Sequence, residues 1–283
     1  MRHPFIAAMA LSWLPLAAHA SSCPLPGQWW QSQHVVANSA ILAQAVQHQV
    51  VLLGEQHDAI DHHRWQLHTL AGLYALRDDM VIGLEMLPRE AQPVLDNWVA
   101  GLLSEEELLE QSRWGEHWGF DADLYLPILH FARVQRIPLV ALNITPELRQ
   151  RLARDGFSSV PIDQRHYIPA PLPPSAGYEM RLKDVFDQHA MGDDDPAMMK
   201  RFLQAQLSWD VAMAEGLADA ALEGKLAVGL MGLGHVIYQD GVPHQLDGLG
   251  VDHTFSLLPW STETCEPPDP ALADAVFVLP AAE

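Results

Sequence analysis

Four apolar runs constrain what this chain can become: "VVLLGE" (Val50 to Glu55), "VIGLEM" (Val81 to Met86), "PLVALNI" (Pro138 to Ile144) and "LAVGLMGLGHV" (Leu226 to Val236). A half-exposed strand alternates apolar with polar residues, so runs without that alternation read as strands buried on both faces. Such strands belong to a parallel sheet with crossover helices. Behind the first run, Ile60, His63, Leu67, Leu70 and Tyr74 fall on one helical stripe, which turns His63 inward and leaves His62 round the side. The stretch "FLQAQLSWDVAMAEGLADAALEG" reads as a long helix buried along Leu203, Leu207, Val211, Ala214, Ala218 and Ala221. Asp210 and Gln206 border its stripe, where an aspartate is costly unless paired. The expected fold class is α/β: a parallel β-sheet flanked by helices.

Two segments depart from this pattern and read as a smaller helical subdomain inserted at one edge of the sheet. Residues 89–135 carry "SEEELLEQ", opened by Ser104 with Glu107 placed for a capping box, and "DADLYLPILHFARVQ". Residues 156–200 are loop-rich, with "IPAPLPPSAGY" and "MGDDDP" around a short helix near Tyr178 to His189. Past His235, "YQDGVPHQL" reads as a turn, "DHTFSLLP" and "AVFVLP" as further strands, and "CEPPDPA" as their linker. Trp29 and Trp30 are expected to pack the N-terminal segment against the body.

The first twenty residues have one Arg, an apolar run from Phe5 to Ala18 broken by Pro15, and the ending Ala18-His19-Ala20. They read as a secretory signal peptide, cleaved after Ala20, leaving residues 21–283 as a single domain exported to the periplasm. The two cysteines, Cys23 and Cys265, would pair in an oxidising compartment. The alternative is a lipid on Cys23, for which "ASSC" lacks the usual leucine. A formal charge of −20 argues against nucleic acid and anionic membrane as partners.

Chemistry gathers at the ends of the runs: Glu55 and His57 after the first, Glu85 in the second, Asn143 in the third and His235 after the fourth. Open parallel sheets bind ligands outside the carboxyl ends of their strands, so these residues are expected to converge there, with His63 at the same rim. Three uses are open. His57, His63, Glu85 and His235 suit a divalent metal ion. His57 with a glutamate on its other nitrogen suits metal-free hydrolysis. A buried polar network would simply hold the loops. "GLMGLGH" has the order G-x-x-G-x-G with no helix opening behind it, so it is not a dinucleotide fingerprint. His117, His130 and His166 have no partner that the sequence assigns, and Met198 and Met199 beside Phe202 read as core.

In order along the chain, "LLGEQHDAIDHH", "VIGLEMLPREAQPVLDNW", "ALNI", "AQLSWDVAMAE" and "GLMGLGHVIYQDGVPHQL" resemble the ChaN-like family of iron-regulated, haem-binding bacterial proteins. That family is similar to a wider superfamily including erythromycin esterase and the Tiki metalloproteases, which share the elements at Gly54-Glu55-Gln56-His57 and Gly232-Leu233-Gly234-His235. The ChaN resemblance implies a haem-binding envelope protein, periplasmic or associated with the outer membrane, that works with an outer-membrane haem receptor system. It also implies a homodimer with two haems face to face, each iron held by a tyrosine. Tyr178 is the preferred ligand, since it starts a helix with Arg181 in reach to favour the phenolate and His189 about three turns along. Tyr167 is the alternative. The esterase and Tiki side implies hydrolysis at Glu55, His57, Glu85 and His235, with or without a metal.

Overall fold

The computed structural model describes residues 23–189, 196–261 and 265–281. The segment read as a signal peptide, the side chain of His189 and residues 190–195 lie outside the described residues. The chain opens with strands β1 (Trp29–Gln31) and β2 (His34–Val36) and helix α1 (Asn38–Ala45). Next come β3 (Val50–Glu55), α2 (Ile60–Leu76) and β4 (Met80–Pro88), then α3 (Gln92–Val99), α4 (Glu105–Gln111), α5 (Trp114–His117), α6 (Leu126–Gln135) and β5 (Leu139–Asn143). Helices α7 (Pro146–Asp155), α8 (Ala176–His189) and α9 (Pro196–Leu222) precede β6 (Leu226–Gly232), and α10 (Val242–Gly248), β7 (Thr254–Trp260) and β8 (Ala275–Val278) follow it.

All the strands join one sheet in the order β2-β1-β8-β7-β3-β6-β4-β5. β3, β4, β5, β6, β7 and β8 pair in parallel, and β1 runs antiparallel to both β2 and β8. The four apolar runs are therefore the adjacent strands β3, β6, β4 and β5, as their lack of alternation requires. Successive residues feed opposite cores. Val51, Leu53, Ile82, Leu84, Val228 and Leu230 pack with residues of α2, α3 and α6. Val50, Leu52, Val81, Ala227 and Met231 pack with Met213, Ala214 and Leu217 of α9.

Close approach of α9 depends on a missing side chain in the central strand. A Cβ on Gly229 would lie 2.9 Å from Leu217 Cδ1, 2.9 Å from Met231 Cε and 3.2 Å from Leu52 Cδ2. We expect Gly229→Ala to lose about 1–3 kcal/mol through overpacking, seen as a lower urea midpoint at unchanged slope. An unchanged midpoint would show that α9 can move away freely.

Two details differ from the sequence reading. Ile60 is 47% exposed, and the buried stripe of α2 runs through His62, His63, Trp65, Gln66, Thr69, Leu70 and Leu73. Polar residues on that stripe hid it from a purely apolar pattern. The segment read as a turn after Tyr238 contains α10, with Pro243 in the first turn, where its missing N–H is not needed. The chain enters it through Tyr238, Gln239 and Gly241, all at positive φ. The capping box at Ser104 and Glu107 is formed as expected.

The sulfurs of Cys23 and Cys265 form a disulfide, so the Cys23 sulfur is not available for a lipid thioether in this structure. Four residues after Cys23, the Gly27 N–H donates to the Val278 carbonyl at the end of β8, which pairs with β1. Among the described residues no helix is long and apolar enough to cross a membrane.

Candidate functional site

Parallel pairing places Glu55, at the end of β3, directly beside Gly232, at the end of β6. Two buried polar chains grow from this junction. In the first, His57 Nδ1 lies 2.7 Å from Glu55 Oε1, and the Tyr125 hydroxyl donates to the same oxygen at 3.2 Å. Glu55 is fully enclosed, and its Oε2 has no hydrogen-bond partner among the described residues, lying 3.8 Å from His63 Nε2. The His57 ring has aromatic walls: its centroid is 4.5 Å from that of Trp118 and 4.9 Å from that of Phe120. A Cβ on Gly232 would come within 2.8 Å of His57 Cε1, so glycine at that position is what admits the ring.

The second chain starts from Glu85. Its Oε2 accepts the Gly232 N–H at 2.7 Å, and its Oε1 lies 3.4 Å from His235 Nε2. His235 Nδ1 is 2.6 Å from Asp210 Oδ1, and Asp210 Oδ2 accepts the Tyr178 hydroxyl at 2.7 Å. Gln206 sits alongside, with Nε2 3.2 Å from His235 Nδ1. Asn143 fixes the backbone here, donating to the Glu85 carbonyl at 2.8 Å.

Electrostatics follow from this placement. Burial lowers the pKa of His235, but the charge of Glu85 and the hydrogen bonds that the ring donates to Asp210 and Glu85 outweigh it and raise the ring to about 10. His235 is thus an imidazolium at neutral pH. Burial raises Glu85, yet the His235 charge and hydrogen bond carry it below the ordinary carboxylate value. Burial also acts against charge on His57, and the Glu55 hydrogen bond and charge reverse that, leaving His57 raised. Burial pushes His62 down to about 4, and its Nδ1 accepts the Gln56 N–H at 3.0 Å, so it holds the loop as a neutral ring.

The strand-end residues Glu55, His57, Glu85 and His235 are therefore together, as the sequence implied. A metal set of His57, His63, Glu85 and His235 is not formed. Among the described residues no group of three or more His, Cys, Asp or Glu side chains is arranged to hold a metal ion. The ring nitrogens of His235 face Asp210 and Glu85, and those of His63 face Gln66 and the His57 carbonyl, so protein acceptors already occupy those rings.

Tyr178 corrects the preferred choice of haem ligand. It is 2% exposed and ends the Asp210–His235 chain, and burial together with the Asp210 charge pushes its phenol up, against the phenolate that ferric haem would take. The Arg181 guanidinium lies 5.9 Å from the Tyr178 ring centroid but pairs with Asp240 and lies closer over the Tyr238 ring, 4.5 Å from its centroid. Tyr167 is 68% exposed and sits at positive φ beside His166, also at positive φ. His166 and His130 do have partners, Glu90 at 3.1 Å and Glu105 at 2.8 Å.

Sequence reasoning missed Tyr125. Its centroid lies 4.3 Å from that of His63 and its hydroxyl holds Glu55, while burial and the Glu55 charge push its phenol up. Gln66, which donates to the Leu53 carbonyl at 3.0 Å, was missed as well. A hydroxyl or amide on a buried stripe was the available signal, and it was visible for Asp210.

A family model described as "Haem-binding uptake, Tiki superfamily, ChaN" matches residues 41–246. The solved structure described as cofacial heme binding to ChaN of Campylobacter jejuni is similar at a TM-score of 0.67 and 15% identity, covering 88% of this chain and 95% of that one. The type III effector HopBA1 is similar at a TM-score of 0.47 and 11% identity, covering 84% of this chain and 90% of that one. An erythromycin esterase mutant, EreC H289N, is similar at a TM-score of 0.44 and 11% identity, covering 82% and 77%. No curated protein matches the chain.

Proposed function

Since the chain belongs to the haem-binding uptake family of the Tiki superfamily that includes ChaN, we propose that it is an exported haem-binding protein that works in haem and iron uptake, with Tyr167 holding the iron. Haem binding rests on the family, and the observation that carries the residue is the exposure of Tyr167. Its side chain stands 68% in solvent on a left-handed backbone shared with His166, a conformation that costs about 1–3 kcal/mol for each residue other than glycine. Tyr167 N–H donates to the Ile162 carbonyl at 2.8 Å, and Ile162 is itself 48% exposed, giving an apolar neighbour to a porphyrin face. Tyr167 would hold the haem, which would supply a ferric iron that a phenolate oxygen suits.

The cofacial arrangement described for the Campylobacter protein supports a dimer here as well, two copies meeting across their Tyr167 faces. The Cys23–Cys265 disulfide supports residence in an oxidising compartment such as the periplasm. An outer-membrane haem receptor system is the partner this role calls for.

Haemin titration of the mature chain tests the reading. We expect a Soret change that saturates near one haem per chain with a high-spin tyrosinate spectrum, lost in Tyr167→Phe and kept in Tyr178→Phe and His235→Ala. A tyrosinate spectrum that survives in Tyr167→Phe would remove Tyr167 from the role. Unsaturable binding by the unaltered protein would remove the haem reading itself. Sedimentation velocity with and without haemin tests the dimer, which is expected to form in the presence of haemin.

A further inference from the structure

Among the described residues β5 ends the sheet order, so its outer edge has no strand beside it. On its inner side the Ile82 N–H donates to the Pro138 carbonyl, and the parallel ladder then turns the N–H and C=O groups of Leu139 and Ala141 outward. Such an edge is a template for another strand unless something covers it. A cavity of about 440 Å³ follows this edge, between α3, which supplies Gln92 and Asp96, and α9, which supplies Gly216, Asp219 and Ala220. We propose that this groove is a docking site for an extended polypeptide segment with basic side chains, which pairs with β5 as a further strand.

A side-chain amide already stands where the peptide group of a neighbouring strand would. Gln92 Oε1 accepts the Ala141 N–H at 2.9 Å, and its Nε2 donates to the Leu139 carbonyl at 2.8 Å. These are the two bonds that an added strand makes, so the edge groups face the groove with the geometry that pairing requires. Opposite Gln92, the small residues Gly216 and Ala220 leave room for a backbone to approach.

Charge decides the partner. Arg89 is held by Glu215 and the Ala212 carbonyl, and Lys225 by Glu223, so both cations of the lining are engaged. Asp96 and Asp219 remain, one on each wall, in a chain of formal charge −20. An acidic segment is repelled from this groove and a basic one is attracted. Neighbouring side chains of a strand point to opposite faces, so two adjacent basic residues reach both walls.

Asp96 also links charge to access. Gln92 Nε2 donates to Asp96 Oδ1 at 2.9 Å as well as to Leu139, so the carboxylate helps to hold the amide across the edge. A lysine or arginine that pairs with Asp96 loosens that hold. The Leu139 and Ala141 groups then become free for the incoming backbone, and Gln92 acts as a cover that a basic segment displaces.

Fluorescence anisotropy of a labelled peptide, acetyl-VKKVKKV-amide, titrated with the haem-free mature chain tests the site. We expect saturable binding that weakens as salt rises. Gln92→Ala, which uncovers the edge, is expected to bind about tenfold tighter, and Asp96→Asn and Asp219→Asn each about tenfold weaker. The same peptide N-methylated at its valines keeps its charge but has both backbone edges blocked, and it is expected not to bind. Equal binding of the N-methylated peptide would show attraction by charge alone and overturn strand addition. Affinity unchanged in both Gln92→Ala and Asp96→Asn would overturn the groove as the site. Self-association of Gln92→Ala in sedimentation velocity without any uptake of peptide would make a second copy the occupant, and would overturn the proposal as well. Haemin titration of the three variants is expected to match that of the unaltered chain, so failure of the haem reading and failure of this one are seen separately.

Discussion

Replacing Asp210 by alanine is expected to destabilise the protein by about 3–5 kcal/mol, the usual cost of stripping one partner from a buried ion pair. Asp210 is fully buried on the inner face of α9, with His235 on one oxygen and Tyr178 on the other. Its removal leaves an imidazolium with Glu85 at 3.4 Å and a buried tyrosine hydroxyl with its acceptor gone. Asp210→Asn keeps the shape and should cost less, because an amide oxygen still accepts a hydrogen bond. The effect also carries a pH signature. The His235 pKa is raised from 6.5 to about 10 in the folded protein, so its contribution is full below 6.5 and is lost as pH rises through about 10. Urea unfolding at pH 6.5 and pH 10 should thus show a larger Asp210→Ala penalty at the lower pH. A penalty below about 1 kcal/mol at pH 6.5 would mean that the chain of contacts contributes little to folding.

Removal of the disulfide should have a comparable effect. Cys23 and Cys265 are separated by 242 positions, and chain-entropy reasoning gives about 5 kcal/mol for a loop of that size, with measured values more often about 2–4 kcal/mol. The bond fastens the β1–β2 edge, whose strands span three residues each, to a sheet that they meet through β8. Cys23→Ser, Cys265→Ser and the double variant should be equally destabilised in guanidinium unfolding, and reductant should bring the unaltered protein to the same midpoint. Additive losses in the double variant would show that the two thiols act separately. Trp29, whose ring lies 5.1 Å from that of Phe277 on β8, packs this edge onto the sheet.

The architecture was legible where the physics is local or periodic. Runs such as "VVLLGE" without polar alternation had to be doubly buried strands, and Ser104 with Glu107 had to cap a helix. Strand ends also had to gather Glu55, His57, Glu85 and His235, because a parallel sheet points all its carboxyl ends the same way. The edge hairpin of β1 and β2 was not legible, since three residues are too few to show a period. The direction of Tyr178 was not legible either. Helical spacing set it beside Arg181, yet a partner from another helix, Asp210, takes its hydroxyl, and Asp240 takes the arginine.

Sequence by itself determined the doubly buried parallel core, the residues available at its strand ends and the membership of the chain in a haem-binding family. Tertiary structure alone decided how those residues are wired. It made His57 rather than His63 the ring that opens onto a cavity, drew Tyr125 and Asp210 in as partners, enclosed Tyr178 and left Tyr167 outside. The physical reason is that a buried polar group must find its hydrogen bond wherever the fold brings an acceptor, and that acceptor lies on a different element, tens of residues away in sequence.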